Sequence, residues 1–141
     1  MGAQLAPYAM SIVGVLALCL LSLVLAVYSG RSKGAAGALS GPVLDARDDN
    51  KLYRIDRVHM NSVEALTPFA VSVVIAMLVE VTPALLAGLV WLHVAIRLAH
   101  LVIYLRGGEA AKGGHLRTVL YVSSALVTMV LIIAAGWAAL T

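Results

Sequence analysis

Four long apolar stretches separated by short polar segments organise this chain. The first runs from Ala6 to Ser29 without a charge and ends at Gly30-Arg31. A helix crossing the roughly 30 Å hydrocarbon core of a bilayer needs about 20 mostly apolar residues, so 6–29 predicts a span. No basic residue precedes the run, and it is longer than a signal-peptide core, so it is expected to be retained. The second stretch is mixed. Asp48 or Asp49 is placed to cap a helix that starts outside the apolar zone and continues through Arg57, Asn61 and Glu64, with its membrane part at 62–79. Thr82-Pro83 reads as an N-cap followed by proline at the first helical position, which opens a third span over 83–105 closed by Gly107-Gly108. The fourth span, 116–140, begins near His115 after Gly113-Gly114. With no internal repeat and no separate soluble segment, residues 1–141 read as one all-α membrane domain, a four-transmembrane-helix bundle.

Polar residues inside three of these spans are not scattered. Arg57, Asn61, Glu64 and Pro68 fall at i, i+4, i+7 and i+11, which is one helical face. His93, Arg97, His100 and Tyr104 repeat the spacing on the third helix, and Arg117, Tyr121, Ser124 and Thr128 repeat it on the fourth. Ionisable groups in a span are costly and face a bundle interior or a cavity rather than lipid. The second and fourth helices enter the bilayer from the side on which the third one leaves it. Asn61 and Glu64, His100 and Tyr104, and Arg117 and Tyr121 are therefore expected at one level, with Arg97 about 12 Å deeper than Leu105 at 1.5 Å per residue. Pro68 has no N–H for the Glu64 carbonyl, so a kink or a free carbonyl is expected there.

Composition agrees with a membrane setting. Of 141 residues, 62% are hydrophobic and 12% charged, against roughly 45–50% and 25% in soluble domains. The formal charge of +3 has no basic, aromatic-interleaved soluble face to carry it, so nucleic-acid binding is excluded. The lone Cys19 cannot form an intrachain disulfide or a cysteine-based metal site, and no His, Asp or Glu pair has clear metal spacing, so no metal is expected. Of the ten Lys and Arg residues, Arg31, Lys33, Arg47, Lys51, Arg54 and Arg57 lie in or beside the first connection, and Arg106, Lys112 and Arg117 in or beside the third. Only Arg97 is intramembrane. The positive-inside rule then puts both long connections in the cytoplasm and both termini outside, and the alanine-rich composition points to a bacterial inner membrane.

The stripes have two readings. They are interhelical contacts, with Glu64 paired to Arg97 and tyrosines anchoring the interface, or they line a site. Two or three arginines facing one glutamate leave excess positive charge, which suits an anionic ligand: arginine forks bind carboxylates and a glutamate holds an ammonium. Proton-coupled exporters with four spans place their glutamate in the first span, which here carries no charge.

The run Arg57-Val58-His59-Met60-Asn61-Ser62-Val63-Glu64, followed by Pro68-Phe69, resembles the second-helix signature of the MAPEG family, the membrane-associated proteins in eicosanoid and glutathione metabolism. Arg97-Leu-Ala-His100-Leu-Val-Ile-Tyr104 with Arg117-Thr118-Val-Leu-Tyr121 resembles the third- and fourth-helix pattern of its prostaglandin E synthase-like members. The resemblance implies a homotrimer of four-helix protomers with glutathione bound between subunits near the cytoplasmic face. It implies that Arg57, Asn61, Glu64, His100 and Tyr104 hold the glutathione backbone, with Glu64 on the γ-glutamyl ammonium. Arg117 is implied near the sulfur with Thr118 and Tyr121 beside it, and Arg31 as a carboxylate contact from the adjacent subunit. Met60 stands where those members carry an arginine, and the segment from Glu109 to Gly114 looks longer than theirs. The activity implied is glutathione-dependent transfer to, or peroxide reduction of, a lipophilic small molecule arriving from membrane lipid. A free thiol with a pKa of about 8.5 is mostly protonated at neutral pH, and a nearby arginine favours the thiolate. The alternative is a non-catalytic lipid-binding scaffold, a type the family also contains.

Overall fold

The computed structural model describes residues 2–38, 41–107 and 110–141, leaving aside the side chains of 2–3 and 110–114. Among the described residues there is no strand. A helical lead-in, Gly2–Leu5 and a 3-10 turn Ala6–Tyr8, precedes α1 (Ala9–Ala35); α2 (Lys51–Leu78), α3 (Pro83–Arg106) and α4 (Ala110–Leu140) follow. All four are long and apolar enough to cross a membrane.

The packing of α1 shows why its sequence is apolar all round. Ser11, Gly14, Leu18, Ser22, Leu25 and Ser29 are buried, while Leu16, Leu20, Leu23 and Val27 are exposed. Small residues facing inward let helix backbones approach, and large aliphatics face outward where lipid replaces water. Gly14 is a point of close approach: a Cβ there would overlap the Val90 side chain of α3. Phe69, Val73, Leu86, Val90 and Leu131 are fully buried in the core. His93 lies inside it, stacked on Phe69 with ring centroids 3.8 Å apart and planes 11° from parallel.

The turn between α2 and α3 is tight. Glu80 has a φ of 59°, the left-handed position that ends many helices and favours glycine, and Val81 N–H donates to the Ala76 carbonyl at 2.9 Å. The Tyr8 hydroxyl donates to the Val81 carbonyl at 2.9 Å and pins the chain start to this turn. Pro83 opens α3 as the sequence predicts, but the Thr82 side chain makes no capping bond.

Three further expectations are corrected. The cap of α2 is Asn50, whose Oδ1 accepts from the N–H groups of Leu52 and Tyr53 at 3.0 and 3.3 Å; Asp48 is engaged elsewhere. At Pro68 helix α2 continues, and the missing N–H leaves the Glu64 carbonyl without its i+4 backbone donor, as the sequence expects. Helix α4 starts at Ala110, not near His115, because Ala110, Ala111 and Lys112 are good helix formers and two internal glycines do not outweigh a long helix. Of the segment expected as a longer loop, Glu109 lies outside the described residues and 110–114 are helical.

The 36–50 connection is tied down at both ends. Buried Asp56 pairs with Lys33, accepts from Val43 N–H at 2.9 Å and from the Ser29 hydroxyl at 3.4 Å. Arg54 Nη1 donates to the Asp48 carbonyl at 2.6 Å. Gly107 ends α3 with a φ of 55°, and a Cβ at this position would strike the Arg54 guanidinium.

Candidate functional site

One end of the bundle carries an open groove of about 440 Å³ walled by α2, α3 and α4. Its lining is Arg57, Asn61 and Glu64 from α2, His100 and Tyr104 from α3, and Arg117, Thr118 and Tyr121 from α4. The volume falls within the roughly 300–1,000 Å³ of small-molecule clefts. Three helices with one polar stripe each meet at a common level because the stripes share the helical period and α3 runs antiparallel to its neighbours.

The groove is graded in depth. Asn61, His100 and Arg117 are buried, Arg57 and Tyr104 half-buried, and Glu64, Thr118 and Tyr121 exposed. Arg57 Nη2 donates to Asn61 Oδ1 at 3.2 Å, which fixes both on the α2 wall. The Arg117 guanidinium lies 4.8 Å from the Tyr104 ring centroid, in cation–π range. The His100 ring is 5.3 Å from that of Tyr104 and 6.4 Å from that of Tyr121. Among the described residues Glu64 forms no ion pair, so the expected alternative of a Glu64–Arg97 contact is not what occupies it.

Arg97 and Arg31 stand outside the groove. Arg97 is 4% exposed, with Nη1 lacking a hydrogen-bond partner. It lines a separate cavity of about 10 Å³ with His93 and Ser62, space for about one water. It is not among the residues that line the groove. Arg31 is exposed at the end of α1; Lys33, two residues on, is the basic group that turns inward.

The sequence reading missed Asp48. Its carboxylate receives Arg117 Nη1 and Nη2 at 2.5 and 2.8 Å, a bidentate fork. The Arg117 hydrogen bonds hold the Asp48 carboxyl below the usual carboxylate range. Asp48 thus neutralises part of the positive excess inferred from the stripes. The surrounding Asp45 to Lys51 segment is rich in charge, yet no spacing rule couples a loop carboxylate to a helix 69 residues away.

Four apolar helices carrying a polar groove at one end define an integral, multi-pass membrane protein. The chain belongs to the MAPEG family, whose family model matches residues 9–137. That family is built as a four-helix bundle and includes glutathione-dependent transferases and peroxidases. Among individually curated proteins, none matches the chain significantly.

Proposed function

We propose that the chain is a membrane-bound glutathione-dependent enzyme of the transferase or peroxidase type, acting on a lipophilic electrophile. The observation that carries this reading is the convergence of eight polar residues from three helices on one groove. It offers a carboxylate, Glu64, that forms no ion pair among the described residues, for an ammonium, and guanidinium groups, Arg57 and Arg117, for anions.

In this reading Arg57, Asn61, His100 and Tyr104 hold the peptide backbone of glutathione, and Glu64 holds its γ-glutamyl ammonium. Arg117 faces the sulfur, with Thr118 and Tyr121 beside it and buried Arg97 adding positive potential from behind. Positive charge in a partly desolvated setting stabilises the thiolate over the thiol. The thiol proton leaves to solvent through the open mouth. In conjugation the sulfur lone pair forms a bond to carbon, and the leaving group departs with its electron pair. In peroxide reduction two thiols become one disulfide while the hydroperoxide becomes an alcohol and water. A homotrimer, with Arg31 reaching the site of a neighbour, belongs to the same proposal. So do a bacterial inner-membrane location with both basic connections cytoplasmic, and a single domain over 1–141.

Purified protein assayed with a chromogenic electrophile and with a lipid hydroperoxide tests the reading. Glutathione-stimulated turnover of either supports it, and none of both rejects it.

Two observations favour the second reading, a non-catalytic lipid-binding scaffold. Both Arg117 Nη1 and Nη2 are already engaged by Asp48, and Met60, 38% exposed, stands where prostaglandin E synthase-like members carry a ligand-binding arginine. A scaffold of this kind shows no glutathione binding at millimolar ligand.

A further inference from the structure

The end of the bundle opposite the groove holds another cleft, of about 560 Å³. Its lining includes Gln4, Leu5 and Tyr8 from the helical lead-in, and Met77, Leu78 and Glu80 from the end of α2 and the turn after it. Helix α2 ends at Leu78 and α3 begins at Pro83. The cleft therefore lies where two membrane-long helices turn back, at the level where lipid chains give way to headgroups.

Apolar walls surround a single charge. Leu5 and Leu78 are exposed large aliphatics. Among the described residues Glu80 is the only charged side chain lining the cleft, and it forms no ion pair. The sequence carries no other Asp, Glu, Lys or Arg from 65 to 96. Glu80 also holds a φ of 59°, where glycine sits with less strain. The turn itself gains nothing from a carboxylate at this position. Gln4 adds an exposed amide, donor and acceptor at once.

We propose that this cleft seats a zwitterionic phospholipid with a primary-ammonium headgroup, phosphatidylethanolamine, its ammonium on Glu80 and its chain along Leu5 and Leu78. A primary ammonium has N–H donors for a carboxylate. A quaternary ammonium has none and is held by open aromatic faces. Tyr8, the aromatic residue of the lining, is 6% exposed and its hydroxyl is spent on the Val81 carbonyl. An anionic headgroup would meet Glu80 with no base in the lining to offset it. The proposal does not depend on the thiol-binding reading, because cleft and groove lie at opposite ends of the bundle.

Native mass spectrometry of the full chain in detergent micelles reads retained lipid and oligomeric mass together. The probes are dioleoyl phosphatidylethanolamine, phosphatidylcholine and phosphatidylglycerol, which share their chains and differ in headgroup. Glu80→Gln keeps the side-chain size and removes the charge. It is expected to weaken phosphatidylethanolamine binding about tenfold and to leave phosphatidylcholine binding unchanged. Glu80→Gly removes the carboxylate and relieves the left-handed strain. The same loss is expected there with an equal or higher Tm in lipid-free detergent, which separates a lost site from a lost fold. Phosphatidylethanolamine binding that ignores both variants, or an equal loss for all three lipids, would overturn the proposal. So would variants that change the oligomeric mass instead of the retained lipid, which would give the cleft to a second copy of this chain.

Discussion

The Arg117 guanidinium closes a two-bond fork on Asp48, at 2.5 and 2.8 Å, and so fastens the first long connection to the α4 wall of the groove. The two residues compete for opposite outcomes. In the proposed reading Arg117 stabilises the thiolate, and Asp48 is the anion already on it.

Asp48→Asn keeps the shape of the fork and removes its charge. Glutathione affinity is expected to tighten about three- to tenfold, in keeping with the worth of a charge-assisted hydrogen bond. Titration calorimetry on the two proteins measures it. Weaker binding in the variant would show that Asp48 supports the ligand instead of competing with it.

The same pair gives a pH dependence with a definite sign. The Asp48 carboxyl is depressed by Arg117, so its stabilisation is fully present above the unfolded carboxylate pKa of about 4 and is lost as pH falls through the lower folded value. Hydrogen exchange in residues 41–50 is therefore expected to show no pair-dependent change between neutrality and mild acid. Loosening well above the carboxylate range would contradict the assignment.

Arg117→Ala is expected to lower turnover about a hundredfold or more, the usual size of losing an anion-stabilising donor, while glutathione affinity changes by less than about tenfold. Steady-state rates set beside equilibrium binding separate the two. Equal losses would make Arg117 a binding group only.

Glu64→Gln tests the carboxylate that has no ion-pair partner among the described residues. Glutathione affinity is expected to fall about tenfold, whereas N-acetylglutathione, which lacks the ammonium, should bind wild type and variant alike. A similar loss for both ligands would place Glu64 away from the ammonium.

How much was legible beforehand follows from the physics of each feature. The three stripes were readable because an α-helix imposes its period on any sequence that folds into it, and eight of their members and neighbours line one groove. Arg97 carries the same period, but one helical face is wide enough for a residue to lie behind the groove as well as in it. Asp48 was out of reach for a different reason: a loop has no period, and its partner is decided by how Asp56, Lys33 and Arg54 anchor the connection. The cap fell to Asn50 because Asp48 is held by Arg117 and Asp49 remains exposed. The inward row of Ser11, Gly14, Leu18 and Ser22 on α1 gave no hydropathy signal, since small residues pack helices in lipid by closeness and not by hydrophobicity.

Gly14 carries that last point into a measurement. Gly14→Leu inserts a side chain where even a Cβ meets Val90, and overpacking of this kind costs about 1–3 kcal/mol. Thermal unfolding in detergent should show a lower Tm, with Val90→Ala restoring part of it. An unchanged Tm would mean that α1 and α3 do not touch at this point.

The most direct test of the account reads the thiol itself. Glutathione is added at neutral pH to the purified protein in nanodiscs, and the ultraviolet absorbance of bound thiolate is recorded beside equilibrium binding. The account predicts saturable binding with a thiolate signal in the wild type, and retained binding with the signal lost in Arg117→Ala. Absence of binding at millimolar glutathione, or binding that leaves the thiol protonated, would contradict it.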